Sequence, residues 1–385
     1  MTVVLAVAHA VNDGYAAFLA PLLPRIMTRL DISIAAAAGL SMALSIASSL
    51  PQPAVGWASD RFGRRAFVAF GPLLSGVVLS LMGFAPSFWA LLLLLVVGGL
   101  GSAMFHPPGV SLATRAGEGT GSGLRLSIFS FGGTIGYALG PLVAVALVTA
   151  RGLEGLWIAM VPAFLVFVVV WRLGGAGPDG KARPRPPGPR EVLGHLKGPL
   201  GSVFWISAIG AFVQRTYLTL QPIAIAGVGG SEALGALSLS IYLGAQAAGT
   251  LTGGWLTDRM SRTRLLAVLT GAGAPVHLLA VGLAPGSAEA MVAGALAGFL
   301  NMALLPPLVV TAQEILPEAA SSAAGIAMGL AWATGSLGVL MVGALADATG
   351  PQFAQLAAMP TLFIGTALAL GPALRSTGAG THRNA

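Results

Sequence analysis

Three polar side chains interrupt an apolar stretch near the start of the chain: His9, Asn12 and Asp13. Positions i, i+3 and i+4 of a helix share one face, so a helix here would present an imidazole, an amide and a carboxylate together. A carboxylate beside an imidazole can take up a proton and release it. Asp13 is the only acid well inside an apolar run; the other twelve acids fall in polar links or near their edges. His106, just before Pro107-Pro108, is a second candidate for proton transfer. The plainer readings are a polar tie between helices for the trio and a hydrogen-bonded residue at a proline-loosened turn for His106.

Arg215 is the only basic residue deep in an apolar run. Its planar fork suits a carboxylate or phosphonate, and it could instead neutralise Asp13. Gln214, Gln52, Gln246 and Asn301 are uncharged polar residues in similar settings, and Tyr217, Tyr242, Phe129 and Trp332 offer aromatic walls for a ligand of mixed polarity. Aromatic residues in such runs also simply pack. His277 reads as structural, and no pairing of His with Asp or Glu has a metal-ligand spacing along the chain. With no cysteine present either, neither a metal nor a cofactor is expected.

These residues need elements to hold them, and the composition says what kind. Of 385 residues, 55% are hydrophobic and only 9% charged, against about 25% charged in a soluble domain. The mean hydropathy is +0.84. Lipid must therefore be the solvent, and an acid within it costs about 2.5–3.5 kcal/mol on insertion scales, so Asp13 should face a protein interior and have partners. A span needs about 20 mostly apolar residues. Twelve are expected, at roughly 3–25, 34–56, 66–85, 88–112, 124–149, 155–173, 199–222, 233–255, 265–284, 289–313, 321–345 and 353–374. The first lacks a basic leader and a clear small-residue cleavage site, so it reads as a span and not a removed signal peptide.

The longest polar break, 174–198, holds five prolines and five basic residues and reads as an extended cytoplasmic linker between a bundle at 1–173 and a bundle at 199–385 with a short cytoplasmic tail. With both termini inside, 16 of the 20 Lys and Arg residues fall on the cytoplasmic side, as the positive-inside rule requires. The net charge of +7 is therefore a topology signal and not a nucleic-acid footprint.

Charge concentrates in one hinge between the second and third spans, Gly56-Trp57-Ala58-Ser59-Asp60-Arg61-Phe62-Gly63-Arg64-Arg65. Gly254-Trp255-Leu256-Thr257-Asp258-Arg259-Met260-Ser261-Arg262 repeats it at an offset of 198 residues, about half the chain. The repeat also pairs Pro107-Pro108 with Pro306-Pro307. Prolines within spans loosen the backbone ladder, so matched soft points are expected in the fourth and tenth spans. Asp60 is expected to accept charge-assisted hydrogen bonds from arginine or a helix N-terminus and to act with Gly56, Arg61, Gly63, Arg64 and Arg65 as a gate. Asp258, Arg259 and Arg262 would form a weaker latch. Glu314 is expected to pair with Arg115 or Arg125, or to sit solvated at a helix end.

Twelve spans in two parallel halves, a basic middle loop and this charged hinge resemble the major facilitator superfamily. The family's loop motif, roughly G-x-x-x-D-R-x-G-R-R, is matched by Gly56, Asp60, Arg61, Gly63, Arg64 and Arg65; the second copy has Ser261 in place of its glycine. His9 to Asp13, Ala47 to Pro53, Phe105-His106-Pro107 and Gln313 to Pro317 resemble the bacterial fosmidomycin-resistance-type exporters. Gly132, Gly136, Gly140 and Pro141 resemble the antiporter motif of drug exporters, without its trailing glycine pair. The resemblance implies an all-α fold of two six-helix bundles in the bacterial inner membrane, alternating access, and a substrate cavity lined by helices 1, 4, 7 and 10. It implies export in exchange for protons. Import of an organic anion or metabolite with protons is the alternative. An enzyme would need a nucleophile–base pair or a metal cluster at membrane depth, and the sequence pattern shows neither. The expected partners are a small-molecule substrate, protons and the lipid bilayer, with the single chain as working unit.

Overall fold

The computed structural model describes residues 1–115, 122–173, 194, 196–317 and 320–378, and their regular structure is helical throughout. The span helices are α1 (Thr2–Leu30), α2 (Ile34–Phe62), α3 (Arg64–Phe84), α4 (Phe88–Ala113), α5 (Arg125–Arg151) and α6 (Leu153–Leu173), then α7 (Pro199–Gly227). They continue with α8 (Glu232–Thr257), α9 (Arg262–Gly282), α10 (Ala288–Ile315), α11 (Ala323–Thr349) and α12 (Pro351–Ala369). All but α7 are long and apolar enough to cross a membrane by length and composition. Helix α7 is 29 residues long. Its run of Gln214, Arg215, Thr216, Tyr217, Thr219 and Gln221 lowers its hydropathy, and most of its length is buried in protein.

Two compact units divide the chain. One comprises Met1–Ser33, Leu40–Pro186 and Ser231–Ser240; the other comprises Ile34–Gly39, Pro187–Gly230 and Ile241–Ala385. Most of the expected linker, 174–193, lies outside the described residues. In the first unit Leu5, Ala8, Val68, Ala69, Phe105, Phe129 and Val166 form a core. In the second, Phe204, Leu265, Leu266, Leu304, Leu308 and Ile326 do so. Large apolar side chains such as Trp89, Leu93, Leu165, Val292, Met341 and Ile364 remain exposed, as a lipid-facing surface requires.

The helices break where the chain loses donors. Helix α1 consists of Thr2–Ala16 and Leu19–Leu30; Pro21 has no N–H for the Ala17 carbonyl. Helix α2 breaks between Ser49 and Gln52, around Pro51. The matched proline pairs behave differently. Helix α10 breaks at Leu304, ahead of Pro306-Pro307. Helix α4 runs unbroken through Pro107-Pro108, so the matched pairs interrupt the helix in only one copy. Helix α11 carries a π-turn at Ile326–Leu330.

The hinge shows why one copy needs glycine. Helix α2 ends at Phe62 and α3 starts at Arg64, with Gly63 alone between them at φ 101°, a conformation open in practice to glycine alone. In the second copy Ser261 sits at φ −61°, ψ 131° before α9. This is ordinary extended backbone, so the loss of the motif glycine there carries no strain.

Candidate functional site

The seam between α1 and α5 fixes the first cluster. A Cβ built on Gly132, Gly136 or Gly140 would stand 2.2, 1.9 or 2.4 Å from the carbonyl oxygens of Ala6, Ala10 and Gly14. Glycines four apart on α5 thus meet small residues four apart on α1, and the backbones touch. Helix α5 continues unbroken through Pro141. Next to this seam, Gly133 leaves room for the His9 ring, which a Cβ there would approach to 2.4 Å.

His9 is buried, stacked on Phe129 at 4.2 Å between ring centroids. Its Nδ1 lies 2.8 Å from the Phe129 carbonyl. A carbonyl only accepts, so Nδ1 carries the proton and Nε2 faces the other way. That Nε2 lies 3.1 Å from Oδ2 of Asp13. From α4, His106 repeats the arrangement: Nδ1 is 2.8 Å from the Ser102 carbonyl and Nε2 is 3.1 Å from Oδ1 of Asp13. Asn12, fully buried, donates through Nδ2 to Asp13 Oδ1 at 3.0 Å and to Ser102 Oγ at 3.2 Å.

The expected trio of α1 is therefore one cluster, and His106 completes it from α4. The side chains of His9, Asp13 and His106 are 10%, 19% and 26% exposed, so the cluster is mostly buried and keeps some solvent access. Local spacing offered no metal site; the fold brings a third ligand from about ninety residues away, and these three side chains could hold an ion. Chemically, each Nε2–carboxylate contact needs a cation between its lone pairs, because a carboxylate cannot donate and each imidazole has committed its Nδ1–H elsewhere.

The hinge packs beside this region. A Cβ on Gly56 would meet the Pro107 side chain at 3.4 Å. Asp60 and Arg64 form a buried ion pair, with Arg64 Nε donating to Asp60 Oδ1 at 2.8 Å. Arg65 lies over Trp171 at 4.8 Å, and Arg61 is near Trp57 and Phe62. In the second copy Asp258 is exposed and Arg259 lies over Trp255 at 4.2 Å. Glu314 pairs with Arg262, the partner supplied by the second copy itself; the Arg115 side chain lies outside the described ones.

The other unit gathers polar residues on α7. Gln214 donates to Gln246 of α8 at 3.3 Å, and the Arg215 guanidinium stands 5.9 Å from the ring of the half-buried Trp332 on α11. Tyr217 and Tyr242 are fully buried and stacked at 4.3 Å. His277 donates from Nδ1 to the Gly273 carbonyl, so its Nε2 accepts from the Tyr242 hydroxyl at 3.3 Å. Asn301 ties α10 to the Gly210 carbonyl at 3.0 Å. Phe129, Tyr217, Tyr242 and Asn301 are buried, while Arg215 and Trp332 are half-buried. Gln52 bonds the Ser48 carbonyl of its own helix.

Sequence reasoning missed Ser102 and Gly133. The signal for Gly133 was present: it adjoins the four-residue glycine repeat that mirrors Ala6, Ala10 and Gly14.

Comparison with known proteins places this architecture. The family model described as Major Facilitator Superfamily matches residues 5–328. The chain is a member of the major facilitator superfamily. As a superfamily member it is a multi-pass membrane transporter. It is 29% identical over 382 residues to "Uncharacterized MFS-type transporter YfnC" of Bacillus subtilis, covering 94% of this chain and 90% of that one. It is 27% identical over 383 residues to "Fosmidomycin resistance protein" of Escherichia coli, covering 94% and 91%. A solved structure of a bacterial homologue of the lysosomal transporter Spinster, inward-facing and occupied, superposes with a TM-score of 0.81 at 18% identity, over 96% of this chain and 95% of that one.

Proposed function

We propose that this transporter is a proton-coupled antiporter that exports small amphiphilic or anionic compounds by alternating access. The carrying observation is the double contact of Asp13 with the Nε2 atoms of His9 and His106. With both Nδ1 protons committed to backbone carbonyls, a proton must occupy each contact. The cluster then holds two protons on partly accessible groups, which supports a coupling role. Release on one side and reloading on the other would bias the equilibrium between states. Arg215, stacked toward Trp332, offers a fork and an aromatic face to an anionic amphiphile. The similarity to a protein named for fosmidomycin resistance supports export of such compounds. Asp60 and Arg64 would hold the cytoplasmic gate, with Asp258, Arg259 and Arg262 as the weaker latch.

The test is a susceptibility panel, fosmidomycin included, in an efflux-deficient host expressing wild type or Asp13→Asn. Wild type should protect and the variant, expressed equally, should not. Equal protection by both would remove Asp13 from coupling. Counterflow in proteoliposomes under an imposed pH gradient separates exchange with protons from symport.

A further inference from the structure

The same cluster has a donor set that protons do not require. We propose that His9 Nε2, a carboxylate oxygen of Asp13 and His106 Nε2 form a binding site for one divalent transition-metal ion of the zinc, cobalt and nickel class.

Two imidazoles and one carboxylate are the ligand types these borderline ions select, and here they converge from two helices with all ligand atoms within 4.8 Å of one another. The separations fit. Ligands about 2.0–2.1 Å from a metal stand about 2.9 Å apart at a right angle and about 3.3 Å apart at a tetrahedral one. His9 Nε2 is 3.1 Å from Asp13 Oδ2 and His106 Nε2 is 3.1 Å from Asp13 Oδ1, so each imidazole stands in that range from a different oxygen of one carboxylate. Closing on one ion needs the two imidazoles to draw together along the carboxylate edge, and their rings already stand 5.1 Å apart at 81°.

The outer shell is also that of a metal site. A ligating histidine donates its other N–H to a carbonyl or carboxylate, which fixes the tautomer and aims the lone pair. His9 does so to Phe129 and His106 to Ser102. Asn12 donates to Oδ1 of the same carboxylate. Its own amide oxygen is buried with no partner among the described residues, a further acceptor at the edge of the cluster. Stacking on Phe129 and contact with Phe105 lock the His9 ring. Three protein ligands with partial exposure of His106 and Asp13 leave coordination positions open to solvent or to a substrate oxygen.

The site stands on this geometry alone and does not require the antiport reading, although the ion would take the lone pairs which that reading gives to protons. The test therefore uses resting protein without substrate. Full-length protein without a polyhistidine tag, in nanodiscs, carries alanine at His195 and His382 so that only His9, His106 and His277 remain. Titration with Co²⁺ alone should give visible ligand-field bands saturating near one equivalent, and Zn²⁺ should bleach them. His9→Ala, His106→Ala and Asp13→Asn should each weaken binding at least about 10–100-fold, the range that even an outer-shell change produces. Size-exclusion profiles and unfolding midpoints show which variants are folded. His9→Gln and His106→Gln, which keep volume, replace any alanine variant that is not. Absence of cobalt bands in the parent overturns the proposal, as does one-equivalent binding that survives the substitutions. Normal metal binding with failed proton exchange would instead overturn the antiport reading and leave the metal site standing.

Discussion

Alanine at Gly136 tests how the site is built without touching a charged group. Its new Cβ would lie 1.9 Å from the Ala10 carbonyl oxygen, with the Ala10 carbonyl carbon and Cα both at 2.5 Å. All three are backbone, so no rotamer can relieve the clash. Ordinary contact begins at 3.4 Å, so the α1–α5 seam must open by about 1.5 Å, and a gap of 0.5–1 Å already forfeits a quarter to a half of each contact's attraction. Helices in lipid are held by such packing and not by hydrophobic exclusion. Overpacking ordinarily costs about 1–3 kcal/mol, and an obstruction made only of backbone belongs at or above the top of that range.

Gly133→Ala is the informative companion. Its obstruction is the His9 ring, 2.4 Å away, which can move. The fold should survive, with a smaller loss of stability. The ring must shift by about 1 Å to regain ordinary contact, and a misplacement of that size can cost about 100-fold in rate. Gly244, with nothing within 4 Å of its built Cβ, is the control; alanine there should be neutral or stabilise by up to about 1 kcal/mol, the glycine helix penalty. The assay is an unfolding midpoint in detergent, with proteoliposome exchange run in parallel. Equal midpoints for Gly136→Ala and Gly244→Ala would refute the backbone seam. Full transport by Gly133→Ala would refute the claim that His9 must sit where it does.

Other outcomes follow from the two hinges and from α7. Gly63→Ala should destabilise by about 1–3 kcal/mol because φ 101° is closed to side chains, whereas Ser261→Gly should change the unfolding midpoint little. Asp60→Asn removes the counter-charge of a buried arginine and should cost about 3–5 kcal/mol; Asp258→Asn, at an exposed position, should stay within about 0.5 kcal/mol. Arg215→Lys keeps the charge but loses the planar fork that stands 5.9 Å from the Trp332 ring, so KM for an anionic substrate should rise while the unfolding midpoint holds; an unchanged KM would remove Arg215 from binding.

Which features could be read from the chain depends on the range of the interaction behind them. Span positions follow from local hydropathy, and the grouping of His9, Asn12 and Asp13 follows from helical spacing alone; both required only neighbours in sequence. The interruptions at Pro21, Pro51 and Pro306-Pro307 coincide with missing donors, yet Pro107-Pro108, with the same loss of donors, lies in a continuous α4. Proline permits a kink, and surrounding packing decides whether it forms. The contact of His106 with Asp13 joins positions about ninety residues apart. Nothing local encodes it, because it depends on how α4 is rotated against α1. The Arg262–Glu314 pair was missed for the same reason.

The repeat makes a further point about what symmetry conserves. It equates α1 with α7, and Asp13 at that offset falls one turn from Gln214-Arg215. The equivalent stretches share helical form, but their chemistry is opposite in sign. In α1 an acid is surrounded by two imidazoles and an amide. In α7 a guanidinium faces an indole, beside a glutamine pair and two stacked tyrosines. Packing needs only small and apolar residues at set intervals, so duplication preserves it cheaply in sequence terms. The polar positions are free of that constraint, and one copy can specialise in holding cations while the other presents a cation of its own. The two hinges diverge in the same way: a glycine at positive φ and a buried ion pair in one copy, extended backbone and exposed charge in the other.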